Sequence, residues 1–187
     1  MNALVPNVSQ QALVASPVKV SDPAQFLTFM LAGEMFAIGI LAIKEIIEYH
    51  GLTEVPMMPP SVRGVINLRG AVVPVMDLLA RFGRPPSEIT KRSCIVIVEV
   101  QARDGERVES QVIGVIVDAV SEVLDIAPAD IEPAPSFGAR IRSDFIHGMG
   151  KVKGKFVILL DVNHVLAIDD LTSAGAAAAA DGMANVH

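Results

Sequence analysis

The stretch Gly64–Leu79, GVINLRGAVVPVMDLL, occurs in disguise a second time in this chain, as GMGKVKGKFVILLDVN over residues 148–163. Gly64 meets Gly148, Gly70 meets Gly154 and Asp77 meets Asp161, each pair 84 residues apart, and the intervening apolar positions match as well. A second correspondence sets FAIGILAIKEIIE (36–48) against IGVIVDAVSEVLD (113–125), with Ile43 opposite Val120 and Glu45 opposite Glu122 at a spacing of 77. Self-similarity at such a spacing means that one supersecondary unit is laid down twice. The shift in spacing places a longer loop in the second half, around APADIEPAPSFGARIRSD (127–144).

Each unit opens on a hairpin pattern, FLTFMLAGEMFAI turning at Ala32-Gly33 and CIVIVEVQARDGERVESQVIGVIV turning at Asp104-Gly105. The order expected in each unit is strand, turn, strand, one helical turn, a bent strand, a loop, a strand pair and a short helix. The core residues are Val, Ile, Leu and Ala rather than aromatics, with seven Phe, one Tyr and no Trp, and the β-branched ones run in blocks of strand length. Short strands this apolar cannot leave both sheet edges open, so closure into a small barrel is the economical solution. The expectation is an all-β protein with short helices, two small barrels sharing a central core. Its parts are a flexible tail over 1–22, a folded domain over 23–170 with repeat units of about 23–85 and 90–170, and an alanine-rich tail over 171–187.

Composition narrows the function. A formal charge of -6 and a pI near 5.1 repel phosphate backbones, and a stacking groove would need more aromatics than one Tyr and no Trp, so a nucleic-acid partner is not expected. KFVILLDV and SCIVIVEV are closed off by charges well short of a bilayer span, and the first 22 residues lack the pattern of a secretory signal, so no membrane insertion is expected. A single cysteine, Cys94, rules out an intrachain disulfide and fits a reducing cytoplasm. His50, His147, His164 and His187 show no ligand spacing with one another or with Cys94, so neither a metal nor a cofactor is expected.

The repeat also sorts candidate residues, since a residue type kept in both halves serves the unit. Asp77 and Asp161 each end a strand before a short apolar helix and read as helix N-caps rather than a catalytic pair. The four repeated glycines read as turn or bulge positions. No nucleophile, base and orienting group assemble from what remains, so no enzymatic activity is expected. Arg69 survives the sorting, because a guanidinium between VIN and AVVPV must find a carboxylate, carbonyls or a partner. Glu45 is one internal candidate.

FLTF…GEMFAIGILAIKEIIE, VPMMPPSVRGVINLRGAVVPVMDL and FIHGMGKVKGKFVILLDVNHVL, in this order and spacing, resemble the CheW family of chemotaxis coupling proteins over about residues 25–168. The GVINLRGxVVPVxDL run is specific to the CheW-like domain, which also occurs in the kinase CheA and in CheV. The resemblance implies two SH3-like five-stranded barrels packed around a shared hydrophobic core. It also implies a cytoplasmic, non-enzymatic adaptor that links chemoreceptor tips to CheA, recruited to membrane-associated arrays and able to meet further copies of itself in array rings. It does not specify whether the output is flagellar, pilus-based or another.

By position, the resemblance assigns receptor contact to Ile43 and Glu45 of the VxEI segment, to Gly64 at the opening of the motif and to Arg69 of NLRG. IEPAPSF matches a segment at the ring contact with the kinase, which gives Glu132 and Phe137 that role; some relatives carry a basic residue where Glu132 stands. The expected site is a groove between the barrels, lined by Ile43 and apolar neighbours with Glu45 and Arg69 at its polar edge.

Overall fold

The first hairpin pairs β1 (Ala24–Leu31) with β2 (Glu34–Gly39) through a two-residue loop at Ala32 and Gly33, both with positive φ. That is the requirement of a type I′ turn, whose twist matches that of the flanking strands. A 3-10 turn over Ile40–Ala42 leads into β3 (Ile43–Glu48), which is followed by the hairpin β4 (Val62–Leu68) and β5 (Ala71–Asp77) and by the one-turn helix α1 (Leu78–Arg81). The second half repeats the order with β6 (Cys94–Asp104), β7 (Arg107–Val117), β8 (Ala119–Ile126), the two-residue strand β9 (Ile131–Glu132), β10 (Ile146–Val152), β11 (Lys155–Leu160) and α2 (Val162–Val165). This computed structural model describes residues 22–134 and 141–167; the tails expected over 1–22 and 171–187 lie outside that range except for Asp22, and Phe137 lies outside it too.

Two local expectations shift. The β6–β7 loop is Gly105-Glu106 rather than Asp104-Gly105, because Asp104 pairs with Arg107 across the ladder and Gly105, φ +62°, takes the first loop position. The second half has no helical turn between its third and second strands: a single bend at Asp118 joins β7 to β8. Its carboxylate accepts the Ala32 N–H at 2.8 Å and its own N–H donates to the Met30 carbonyl, which fixes the corner without a turn of helix.

The sheets cut across the repeat. One has the order β8-β1-β2-β11-β10-β9 and the other β3-β6-β7-β5-β4, so each unit contributes its opening hairpin to the other unit's sheet. Each exchanged hairpin is joined antiparallel on one side, β1 to β8 and β6 to β3, and parallel on the other, with Phe36 beside Ile158 and Val75 beside Gly114. The five-stranded sheet is therefore one continuous stretch, 43–117, nested inside a six-stranded sheet built from both ends of the chain. Both curl into barrels of the same topology, with Thr53, bridged to Val65 of β4, standing where β9 stands beside β10.

Three apolar clusters explain the blocks of Val and Ile. Phe26, Ala37, Ile126, Val157 and Leu159 fill the six-stranded barrel, and Val75, Ile95, Ile97 and Ile116 fill the five-stranded one. The alternate residues of the same strands, among them Leu27, Phe29, Phe36, Val96, Val98, Val115 and Leu160, meet between the barrels in the shared core. Strands buried on both faces need no polar alternation. The rings of Phe29, Phe36, Phe82 and Phe145 form a chain through this core at centroid spacings of 6.3, 5.8 and 6.3 Å.

The repeated residues have the structural duties expected of them. Asp77, fully buried, accepts from the N–H groups of Leu79, Ala80 and Ser87, from the Ser87 hydroxyl and from Arg63 at 2.8 Å. Asp161 caps α2 through Asn163 and His164 in the same way. The ladder bulges between Val62 and Gly64, and again between Ile146 and Gly148.

Candidate functional site

In the five-stranded barrel β3 and β4 are the two edge strands, and Arg69 leaves the β4–β5 turn on the β3 side. Arg69 and Gly70 are the two loop residues of that turn, with φ of +52° and +87°, and the Gly70 N–H donates to the Asn67 side chain at 2.8 Å. The guanidinium therefore sits in no strand interior: the turn presents it outside, 77% exposed. Its Nη2 donates to Glu45 Oε2 at 2.8 Å, so the ion pair ties one edge of the sheet to the other across the mouth of the barrel. The equivalent turn of the other barrel places Lys153 at φ +49°, but Lys153 and Glu122 form no such pair.

A shallow, open hollow lies at this mouth, lined by Lys44, Glu45, Leu68, Arg69, Ala71, Val73 and Val112. Lys44 is itself paired, at 3.1 Å, with Glu99 of β6. The hydrogen bond from Lys44, joined by one from Ser110, holds the Glu99 carboxyl below its ordinary range. Leu68 and Val112 belong to the rim of the barrel's own apolar filling. The hollow thus has an apolar floor and a rim that carries the Glu45–Arg69 pair and Lys44, itself held by Glu99.

The structure brings Glu45 and Arg69 together and separates the other candidates from them. The hollow belongs to one barrel and not to a groove between the two. A bulge between Ile43 and Glu45 turns these neighbours to different sides, so Ile43 packs against the shared core while Glu45 faces the hollow. Gly64 does not line the hollow either. A Cβ there would lie 2.5 Å from the Thr53 carbonyl oxygen, so glycine is what lets the 52–53 segment bond to β4. Glu132 is exposed on β9, the edge of the other barrel, beside Met149.

Lys44 and Val112 were not singled out by sequence. The repeat held the signal for the first, since Ser121 stands opposite Lys44 and the cation serves one half only. Val112 is one apolar residue in an apolar strand, and nothing in its neighbours marks it.

Asp77 is committed to its five donors, Cys94 lies partly buried with its thiol 3.4 Å from the Arg92 carbonyl, and no group of three or more His, Cys, Asp or Glu among the described residues could hold a metal.

Comparison with known proteins agrees with this architecture. The CheW-like domain family matches residues 25–170. The chemotaxis protein CheW of Rhizobium meliloti (strain 1021) is 32% identical over 150 residues, covering 80% of this chain and 92% of its own. That of Bacillus subtilis (strain 168) is 33% identical over 156 residues, covering 83% and 95%. The crystal structure of the scaffolding protein TtCheW from Thermoanaerobacter tengcongensis is similar with a TM-score of 0.67 and 34% identity, over 76% of this chain and 87% of that one. With its repeated unit, its two barrels on a common core and its NLRG turn, the chain belongs to the CheW family.

Proposed function

We propose that this protein is a non-enzymatic adaptor that couples the cytoplasmic tips of chemoreceptors to the histidine kinase CheA in chemotaxis signalling. The observation behind the receptor half of this reading is the Glu45–Arg69 pair at the open mouth of the five-stranded barrel. A helical hairpin seated there covers Leu68, Ala71 and Val112 and takes up the hydrogen-bonding capacity that Arg69 has left, since only one of its donors is engaged by Glu45. Gly64 supports this from behind the rim, and Ile43 by seating β3 on the shared core.

The kinase contact is assigned to Glu132, on β9 of the other barrel, and by sequence to Phe137, which lies outside the described residues. Two contact regions on two barrels let one molecule hold both partners at once, and individually modest contacts gain strength when many copies assemble. The same two faces allow contact between copies of this chain in array rings. No helix among the described residues is long and apolar enough to cross a membrane, and recruitment to membrane-associated arrays then runs through the receptors.

Co-sedimentation of the purified chain with CheA and receptor fragments, with kinase activity as the readout, tests the proposal. The expected result is a ternary complex with raised kinase activity; absence of both in every mixture refutes it.

A further inference from the structure

The two barrels share one topology, yet their exchanged hairpins differ in length. The β1–β2 ladder has six paired positions, Phe26–Gly39 to Leu31–Glu34, whereas the β6–β7 ladder has eleven, Cys94–Val117 to Asp104–Arg107. Barrel closure does not use the surplus. On one side β3 pairs with β6 only between Cys94 and Val98, and on the other β5 pairs with β7 only between Gly114 and Ile116. Beyond Glu99 and Val112 the chain continues as a two-stranded ribbon with no further strand paired to either edge.

The face of this ribbon that begins in the hollow is defined by its register. Val112 lines the hollow and stands opposite Glu99, the partner of Lys44. Side chains alternate along a strand, so the next residues outward on this face are Gln101 and Ser110, then Arg103 and Val108. Gln101 donates to the Ser110 hydroxyl at 3.1 Å and its N–H donates to Asn163 at the start of α2. Together with the Lys44–Glu99 pair, these bonds brace the root of the ribbon against both barrels. At its outer end Arg103 is exposed, and Val108 exposes 58% of an apolar side chain among polar neighbours.

We propose that the β6–β7 ribbon is a second wall of the docking hollow, which holds the flank of the docked receptor helix through Val108 and Arg103. This rests on the reading that the hollow receives a receptor helical hairpin. The spacing fits that occupant: four residues of strand from Val112 to Val108 span roughly 13 Å, which about nine residues of α-helix cover. A helix whose apolar stripe lies on the hollow reaches the ribbon end about two and a half turns later, with an acidic residue there opposite Arg103.

The test uses the full chain and a soluble fragment spanning a chemoreceptor cytoplasmic tip, with affinity read by titration calorimetry. In one variant Ala102–Glu109 is replaced by Asn-Gly, closing the ladder at Gln101 and Ser110; in the other, Arg103→Glu is combined with Val108→Asp. Both are expected to bind roughly tenfold more weakly, with the unfolding midpoint unchanged. If the shortened variant misfolds, the double substitution decides. Unchanged affinity in a folded variant, while Arg69→Ala weakens binding, overturns the ribbon and leaves the hollow standing. Affinity lost for the CheA regulatory domain instead of the receptor fragment assigns the ribbon to the kinase and also overturns the proposal. No binding by the unaltered chain, or binding indifferent to Arg69, removes the docking reading and the ribbon with it.

Discussion

Replacing Arg69 by glycine separates folding from docking, because the two effects have different signs and sizes. The backbone at this position is left-handed, φ +52°, where a residue with a Cβ costs about 1–2 kcal/mol that glycine does not. Against that relief, glycine adds about 0.4–1 kcal/mol of unfolded-state entropy, and the exposed pair with Glu45 is worth about 0.2–1 kcal/mol. The three nearly cancel, so Arg69→Gly is expected to change unfolding free energy by no more than about 1 kcal/mol in urea titration. Binding has no such compensation. A hydrogen bond to a charged group contributes about 1.5–3 kcal/mol, so affinity for a receptor-tip fragment should fall roughly ten- to a hundredfold. Lys153→Gly is the control, with the same turn in the other barrel at φ +49° and no expected effect on receptor affinity. If Arg69→Gly instead loses more than about 2 kcal/mol of stability and binding falls only in proportion to the unfolded fraction, the ion pair is a clasp on the barrel and the docking role is refuted.

The two N-cap aspartates should differ although their sequence positions match. Asp77→Ala strips a buried site of five bonds and leaves Arg63 unpaired, costing about 3–5 kcal/mol in chemical denaturation, while Asp161→Ala, at a partly exposed site, costs about 1 kcal/mol. Gly64→Ala drives a methyl group onto the Thr53 carbonyl and should lower stability by roughly 2 kcal/mol or more, whereas Gly70→Ala, with open space around it, meets only the left-handed backbone cost of about 1 kcal/mol. Equal losses at the two glycines would contradict the close-approach account. Asp144 lies below its ordinary value of 3.8 because Arg142 hydrogen-bonds to it. A lowered carboxyl stabilises the fold above its unfolded value and loses that contribution as the pH falls through the folded one. Asp144→Asn should therefore trail the unaltered chain by a few tenths of a kcal/mol at pH 7, the exposed pair being screened, with the gap closing below about pH 4.

Much of the barrel was legible because its signals are local. Ala32-Gly33 announced a hairpin, the aspartates announced short helices, and the period of the repeat set the order of elements in both halves. What could not be read is which hairpin joins which barrel. The parallel contacts of β2 with β11 and of β5 with β7 link residues far apart in the chain, and the alternation of Phe36, Ala37 and Ile38 is satisfied on either side of the shared core. For the site, Arg69 and Glu45 were legible as a charge pair wanting an explanation. The parting of Ile43 from Glu45 was not, since it depends on one bulge that the letters IKE do not signal.

The nesting of the five-stranded barrel within the six-stranded one has a mechanical consequence. Two covalent passages join the barrels, one at the 3-10 turn over Ile40–Ala42 and one at Asp118, and both are only a few residues long. A body held by one tether can swivel, but one held by two short straps on a common packed core moves as a single piece. A push delivered at Arg69 is therefore passed on as displacement of the whole molecule, arriving at the Glu132 edge without being absorbed in a hinge.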